Sequence, residues 1–198
     1  MNEQFPLLYL TGAPASGKSS VCREIERRLP HALVFSYSKE LRRFAGKRLG
    51  MELSEDDIRR LSGQAITPED VVGLDREMME LAMEHRRTGP FVIDSHAVTK
   101  EHYGFRVTAF SKDQLLELAP DCIVCLYNSP AETCRRIQAD QMGRPIVSEF
   151  EAGMHTQLQC SVAAEYGVLL GKPVYYIDSS VDLGLVADIV IAKAKLST

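Results

Sequence analysis

Apolar and polar positions alternate along this chain in two rhythms that succeed each other from end to end. Short continuous apolar runs closed by glycine or proline read as buried strands: "FPLLYLTG" (5–12), "ALVFS" (32–36), "FVIDS" (91–95), "CIVCLY" (122–127) and "VYYID" (174–178). Between them lie stretches with helical spacing. "GKSSVCREIERRL" ends at Pro30, and Lys39 to Leu49 stops at Gly50. Ser54 and Asp57 form a helix-start box before "EDDIRRLS". Thr67-Pro68-Glu69-Asp70 opens a helix that runs to about Arg87, where Gly89-Pro90 breaks it. Ser111 with Gln114 starts another, stopped before Pro120. Ser129-Pro130-Ala131-Glu132 caps the next, to about Asp140, and "QMGRP" interrupts it. Val147, Phe150, Met154, Leu158, Val162, Tyr166 and Leu169 then mark one face of a long helix ended by Gly171 and Pro173. An apolar-striped helix closes the chain. Alternating strands and helices predict an α/β fold: three αβα layers with a five-stranded parallel sheet and right-handed crossovers. Ligands in such sheets bind at the carboxyl ends of the strands.

Composition narrows the class. The 198 residues fit one domain, 1–198, at 45% hydrophobic and 25% charged residues. The net charge of −4 argues against broad nucleic-acid binding, which needs a basic face. Apolar runs fall well short of the roughly 20 residues a bilayer requires, so no membrane contact is expected. The first residues, "MNEQFPLLYLTG", lack a cationic leader segment, and the expected location is cytoplasmic. Five scattered cysteines read as core thiols. Cys122 and Cys125, three apart on one strand, should face opposite sides and share no metal.

One motif carries specific chemistry. "GAPASGKS", Gly12 to Ser19, matches G-x-x-x-x-G-K-S/T between a predicted strand and a predicted helix. Glycines let the backbone turn several N–H groups toward one anion, and the helix N-terminus adds positive dipole. The expected cradle for ATP is Gly12, Ala13, Pro14, Ala15, Ser16, Gly17, Lys18, Ser19 and Ser20, a P-loop in an NTPase fold. Lys18 would reach the β- and γ-phosphates, and the Ser19 hydroxyl would ligate Mg²⁺.

The stretch "FVIDSHAV" ends a strand on Asp94 and places His96 two residues on. A carboxylate at a buried strand end needs a cation, and Mg²⁺ near Ser19 would be one. Two groups of arginines follow the pattern of a kinase with two anionic substrates, since a guanidinium fork grips phosphate at two points. Arg42, Arg43, Arg59 and Arg60 lie between the second and third predicted strands, where they would hold an acceptor phosphate. Arg135, Arg136 and Arg144 flank "QADQMGRP" and would fold over the donor as a lid hinged near Gly143. A guanine-reading N/T-K-x-D loop is missing, so the GTPase class is not expected.

With these residues in place the chain resembles the nucleoside monophosphate kinases, closest to adenylate kinases of the archaeal type and their bacterial relatives. "FVIDSHAV", "LLELAPDCIVCLYNSPAETCRRI" and "AAEYGVLLGKPV" carry the resemblance. It implies a monophosphate-binding insertion at about 36–66 and a short lid at about 139–147. It implies Asp94 on the Mg²⁺ side, His96 lining the cleft between donor and acceptor, and Ser36, Arg42 and Arg59 toward the acceptor. It places Arg135, Arg136 and Arg144 in the pre-lid helix and lid. The resemblance breaks at Gln159-Cys160, where that family carries Asn-Arg.

The expected reaction is Mg²⁺-dependent transfer from ATP to a nucleoside monophosphate, with AMP the leading acceptor. Two alternatives stay open: a kinase of another small acceptor, and an assembly or regulatory ATPase with a protein or RNA partner. The second draws on a comparable Asp-x-His element in a nuclear, ribosome-linked adenylate kinase family. Homo-oligomerisation is also left open.

Overall fold

The structure, a computed structural model, describes residues 4–54, 57, 66–139 and 146–197. In chain order the elements are β1 (Leu7–Gly12), α1 (Lys18–Arg28), β2 (Leu33–Ser36), α2 (Tyr37–Leu49), α3 (Pro68–His85), β3 (Phe91–Asp94), β4 (Val98–Glu101), β5 (Gly104–Val107), α4 (Lys112–Leu118), β6 (Cys122–Tyr127), α5 (Pro130–Ala139), α6 (Glu149–Leu170), β7 (Val174–Asp178) and α7 (Leu183–Ala194). Five strands form one parallel sheet in the order β2-β3-β1-β6-β7.

β1 is central because all six of its residues are apolar or small enough to be buried on both faces. Its side chains alternate between two cores. Leu7 and Tyr9 enter a layer shared with α3, α4 and α6, while Leu8 and Leu10 enter one shared with α1 and α7. Cys122 and Cys125 divide between the same two layers, as the strand period requires. Chain connections from β1 lead to β2 and β3 on one side and to β6 and β7 on the other. The carboxyl ends of β1, β3 and β6 therefore border one crevice.

Helix starts follow local chemistry. Reciprocal capping boxes form at Thr67–Asp70, Ser111–Gln114 and Ser148–Glu151. Ser54 and Asp57 make the same pair of bonds, with Asp57 N donating to Ser54 Oγ at 3.1 Å and Ser54 N to Asp57 Oδ2 at 3.0 Å. The helix expected to follow, and the break at "QMGRP", lie outside the described residues. Gly50 and Gly171 end α2 and α6 at positive φ, where an L side chain would be strained.

The sequence pattern did not predict β4 and β5. They form an antiparallel hairpin apart from the main sheet. Each strand has only four residues and carries charges, so neither produces a continuous apolar run.

Candidate functional site

The phosphate-type loop between β1 and α1 has a geometry that depends on particular residues. A Cβ on Gly12 would come within 2.5 Å of the Leu126 carbonyl oxygen and 2.6 Å of Ser16 Oγ, so only glycine fits there. Ala15 has φ of 61°, a conformation costly for a residue with a side chain. Two donors hold its peptide: Asn128 Nδ2 and Arg136 Nη1, each 3.2 Å from the Ala15 carbonyl oxygen. Asn128 is itself oriented by the Thr133 hydroxyl, which donates to Oδ1.

The loop is built to receive an anion. Among the described residues no side chain caps the N-terminus of α1, and its first turn carries no acid. Ser16 is 2% exposed, yet its hydroxyl finds no partner among the described residues. A buried unpaired hydroxyl costs about 1–3 kcal/mol, which a bound oxyanion would relieve. Lys18 Nζ donates to the Gly12 carbonyl at 2.8 Å, folded along the loop it would serve. A nucleotide phosphate therefore fits these residues.

On the neighbouring strand, Asp94 pairs in register with Leu10 and is 7% exposed. Burial raises its pKa above the ordinary carboxylate value, opposed by the Lys18 charge and the Ser36 hydroxyl. Ser36 Oγ donates to Asp94 Oδ2 at 3.3 Å. Ser36 stands at the N-cap of α2 but makes no capping bond with its side chain. The first residue of the expected insertion is thus tied to the carboxylate. Among the described residues no three His, Cys, Asp or Glu side chains cluster to hold a metal. The Ser19 hydroxyl, the Asp94 carboxylate and phosphate oxygens make up an oxygen-only donor set, which fits Mg²⁺.

The two adjacent arginines of α5 part company. Arg136 turns to the loop, donating from Nε to Glu132, from Nη1 to Ala15 and from Nη2 to the Ser179 carbonyl at 2.8 Å. Arg135 stays on the exposed face, bonded twice to Glu132 at 2.7 Å. These arginines hold the Glu132 carboxyl well below its ordinary value, at about 2. His96 is exposed on the edge beyond Asp94. Arg42 lines a cleft of about 680 Å³ with Lys39, Arg43, Lys47 and the 50–53 segment. That cleft lies on the side of α2 away from Leu41 and Phe44, which pack into the core. Arg59 and Arg144 lie outside the described residues.

Three polar side chains escaped the sequence reading of the site. Gln159 on α6 is fully buried; its Nε2 donates to Thr11 Oγ1 at 2.9 Å, and its Oε1 accepts from Val98 N at 3.2 Å. His155, one turn earlier, donates from Nε2 to the Val98 carbonyl at 3.0 Å. Together they join the end of β1 to the first residue of the β4–β5 hairpin. Asn128 is the third. A signal existed: His155 and Gln159 are polar residues four apart, bordering the apolar stripe of Met154, Leu158 and Val162.

With the loop, Asp94 and Arg136 in place, similarity to known proteins becomes informative. A family model described as an AAA domain, AAA_17, matches residues 11–151, from the end of β1 to the start of α6. The chain belongs to that family. The adenylate kinase of Pyrobaculum aerophilum is 28% identical over 153 residues, covering 76% of this chain and 73% of the relative. In fold, the shikimate kinase of Bacteroides thetaiotaomicron superposes with a TM-score of 0.57 at 15% identity, covering 97% of this chain and 99% of that one. The gluconokinase of Sinorhizobium meliloti 1021 gives a TM-score of 0.51 at 18% identity, covering 98% and 96%. This AAA domain protein thus has the αβα fold of P-loop kinases and resembles the nucleoside monophosphate kinases among them. Among the described residues, none of its helices is long and apolar enough to cross a membrane.

Proposed function

We propose that this protein transfers the γ-phosphoryl group of ATP to a nucleoside monophosphate, with AMP the leading acceptor. The observation that carries this reading is the pairing of the Gly12 to Ser20 loop, whose buried Ser16 hydroxyl has no partner among the described residues, with a buried carboxylate, Asp94, at the end of the adjacent strand. Similarity to an archaeal adenylate kinase supports a nucleotide as acceptor.

The proposed roles follow from charge and position. Backbone N–H groups of the loop bind the donor phosphates, and Lys18 swings from the Gly12 carbonyl to the β- and γ-oxygens. Ser19 and Asp94 would hold Mg²⁺, which when bound would supply further neutralisation of phosphate charge. Arg136 holds the loop while Arg135 and Arg144 close over the donor with the lid, 139–147. In the insertion, 36–66, Ser36, Arg42 and Arg59 orient the acceptor, and His96 lines the space between the substrates. Such a reaction needs no covalent intermediate; positioning, electrostatics and exclusion of water suffice.

A coupled assay for ADP across AMP, CMP, UMP, GMP and the deoxynucleotides, with an acceptor-free control, tests the reading. ADP formation that requires a nucleoside monophosphate is the expected result. Lys18→Ala should lower kcat by about 10²–10³-fold. ATP hydrolysis that ignores every acceptor would instead favour a regulatory ATPase. The fold shared with gluconokinase and shikimate kinase favours one other reading, a kinase of a different small acceptor, so gluconate and shikimate belong in the panel.

A further inference from the structure

Gln159-Cys160, where the chain departs from the archaeal pattern, acquires a physical meaning in the fold. Cys160 lies on α6 directly after the residue that bonds Thr11. Cys125 lies on β6, in register with the same Thr11. Both sulfurs enter the layer between sheet and α6, and they stand 3.7 Å apart. No disulfide joins them.

We propose that Cys125 and Cys160 form an oxidation site, a dithiol that a peroxide converts into an intramolecular disulfide, and that this bond weakens nucleotide binding through Gln159 and Thr11. A disulfide of about 2 Å needs the sulfurs to approach by less than 2 Å. The two positions are unequal in the way the chemistry requires. Cys125 is 1% exposed, whereas Cys160 is partly open to solvent, so the oxidant meets Cys160 first. The hydrogen bond between the two sulfurs, in which either can donate, favours the Cys160 thiolate when Cys125 keeps its proton, holding the Cys160 pKa below the usual thiol value.

The step balances. The Cys160 thiolate attacks one peroxide oxygen, the O–O bond breaks, and sulfenic acid forms with release of the other oxygen as water after protonation. The Cys125 sulfur then attacks the Cys160 sulfur, the S–O bond breaks, and the Cys125 proton leaves with the hydroxyl as a second water. Two electrons pass from the two sulfurs to the peroxide, and a dithiol reductant reverses the change.

The remaining thiols are placed otherwise. Cys22 and Cys122 lie in the opposite core layer, and Cys134 Sγ donates to the Val147 carbonyl at 3.4 Å. The link to nucleotide is geometric: drawing Cys160 toward β6 displaces the adjacent Gln159, whose amide holds the last side chain before the cradle. This second half rests on the nucleotide reading above, whereas the disulfide itself does not.

Full-length reduced protein is treated with hydrogen peroxide, free thiols are alkylated, and digested peptides are weighed. The expected product is a linked pair of peptides containing Cys125 and Cys160, lighter by two hydrogens, released by dithiothreitol and missing in Cys160→Ser. Calorimetry with ATP and Mg²⁺ should then show several-fold weaker binding after oxidation, restored by dithiothreitol, with no change in Cys160→Ser. Oxidation of Cys160 to sulfinic acid without a link would overturn the site. A quantitative link with unchanged ATP affinity would overturn the coupling to Thr11. If reduced protein binds no ATP at all, the nucleotide reading fails, and peptide masses still decide the dithiol.

Discussion

Arg136 Nη1 donates to the carbonyl oxygen of Ala15 at 3.2 Å, so the helix leading to the expected lid is fastened to the one strained alanine of the phosphate loop. The same guanidinium reaches Ser179 and thereby the loop after β7. Arg136→Met keeps the aliphatic stem and removes all three bonds. We expect ATP to bind about tenfold more weakly or worse, in keeping with the loss of a charge-assisted bond. Arg136→Lys should recover only part of the affinity, since an ammonium cannot span both carbonyls. Calorimetric titration of both variants measures this.

Gln159 supplies one donor and one acceptor inside the core. Gln159→Leu would leave the Thr11 hydroxyl and the Val98 N–H buried without that partner. Stability should fall by about 1–3 kcal/mol for each group left unsatisfied. Gln159→Glu retains an acceptor for both but buries a carboxylate, so it should also destabilise at neutral pH and recover as acid protonates it. Urea denaturation of the two variants provides the comparison.

Asp94 sets function against stability. Burial raises its pKa, so the folded state disfavours the charged form that its proposed role beside Mg²⁺ would need. For a raised acid the stabilising contribution is complete below the unfolded value, near 3.9, and is lost as pH rises through the folded value. Asp94→Asn should therefore melt higher than the parent at neutral pH, with the difference vanishing in acid. Phosphoryl transfer should drop in the same variant. A lower melting temperature at neutral pH would show that the Lys18 and Ser36 interactions outweigh burial.

His155 shifts in the direction expected of a buried base. Burial lowers its pKa, with Lys18 and Lys100 adding to the effect and the Val98 carbonyl opposing it. A depressed folded value means that its contribution is present above the unfolded value, about 6.5, and is lost as pH falls through the folded one. Stability should decline as pH falls below about 6.5, between a measurement at neutral pH and one in mild acid. His155→Gln keeps a donor for Val98 and removes the titration, so its decline over that interval should be shallower. Urea midpoints at the two pH values test this.

The five-stranded sheet and its phosphate loop could be read from the chain because their signals are local. Strand residues buried on both faces leave uninterrupted apolar runs, and the loop needs glycines at fixed spacing. The β4–β5 hairpin lacked that signature: Val98 to Val107 mixes charge with apolar residues in strands of four. Its placement depends on His155 and Gln159, 57 and 61 residues away from Val98. Side chains that pair over such separations leave no periodic trace. The contrast between Arg135 and Arg136 was legible in principle, since Arg136 lies three residues after the buried Thr133 while Arg135 points away from both Thr133 and Ile137. Arg59 and Arg144 belong to segments outside the described residues, so their expected roles stand on sequence and resemblance.

The first residue of α2 has its own consequence for motion. Tyr37 donates to Asp75 Oδ1 at 2.7 Å, Gln114 holds the other oxygen of that carboxylate at 2.7 Å, and the Tyr37 ring meets Phe110 edge-on. Freeing such a hydroxyl from a carboxylate costs about 1.5–3 kcal/mol. A flap pivoting at Ser36 would have to break it on every cycle. For the proposed acceptor-binding arm the economical hinge therefore lies further out, past the riveted foot of the helix, and closure on substrate would leave that root still.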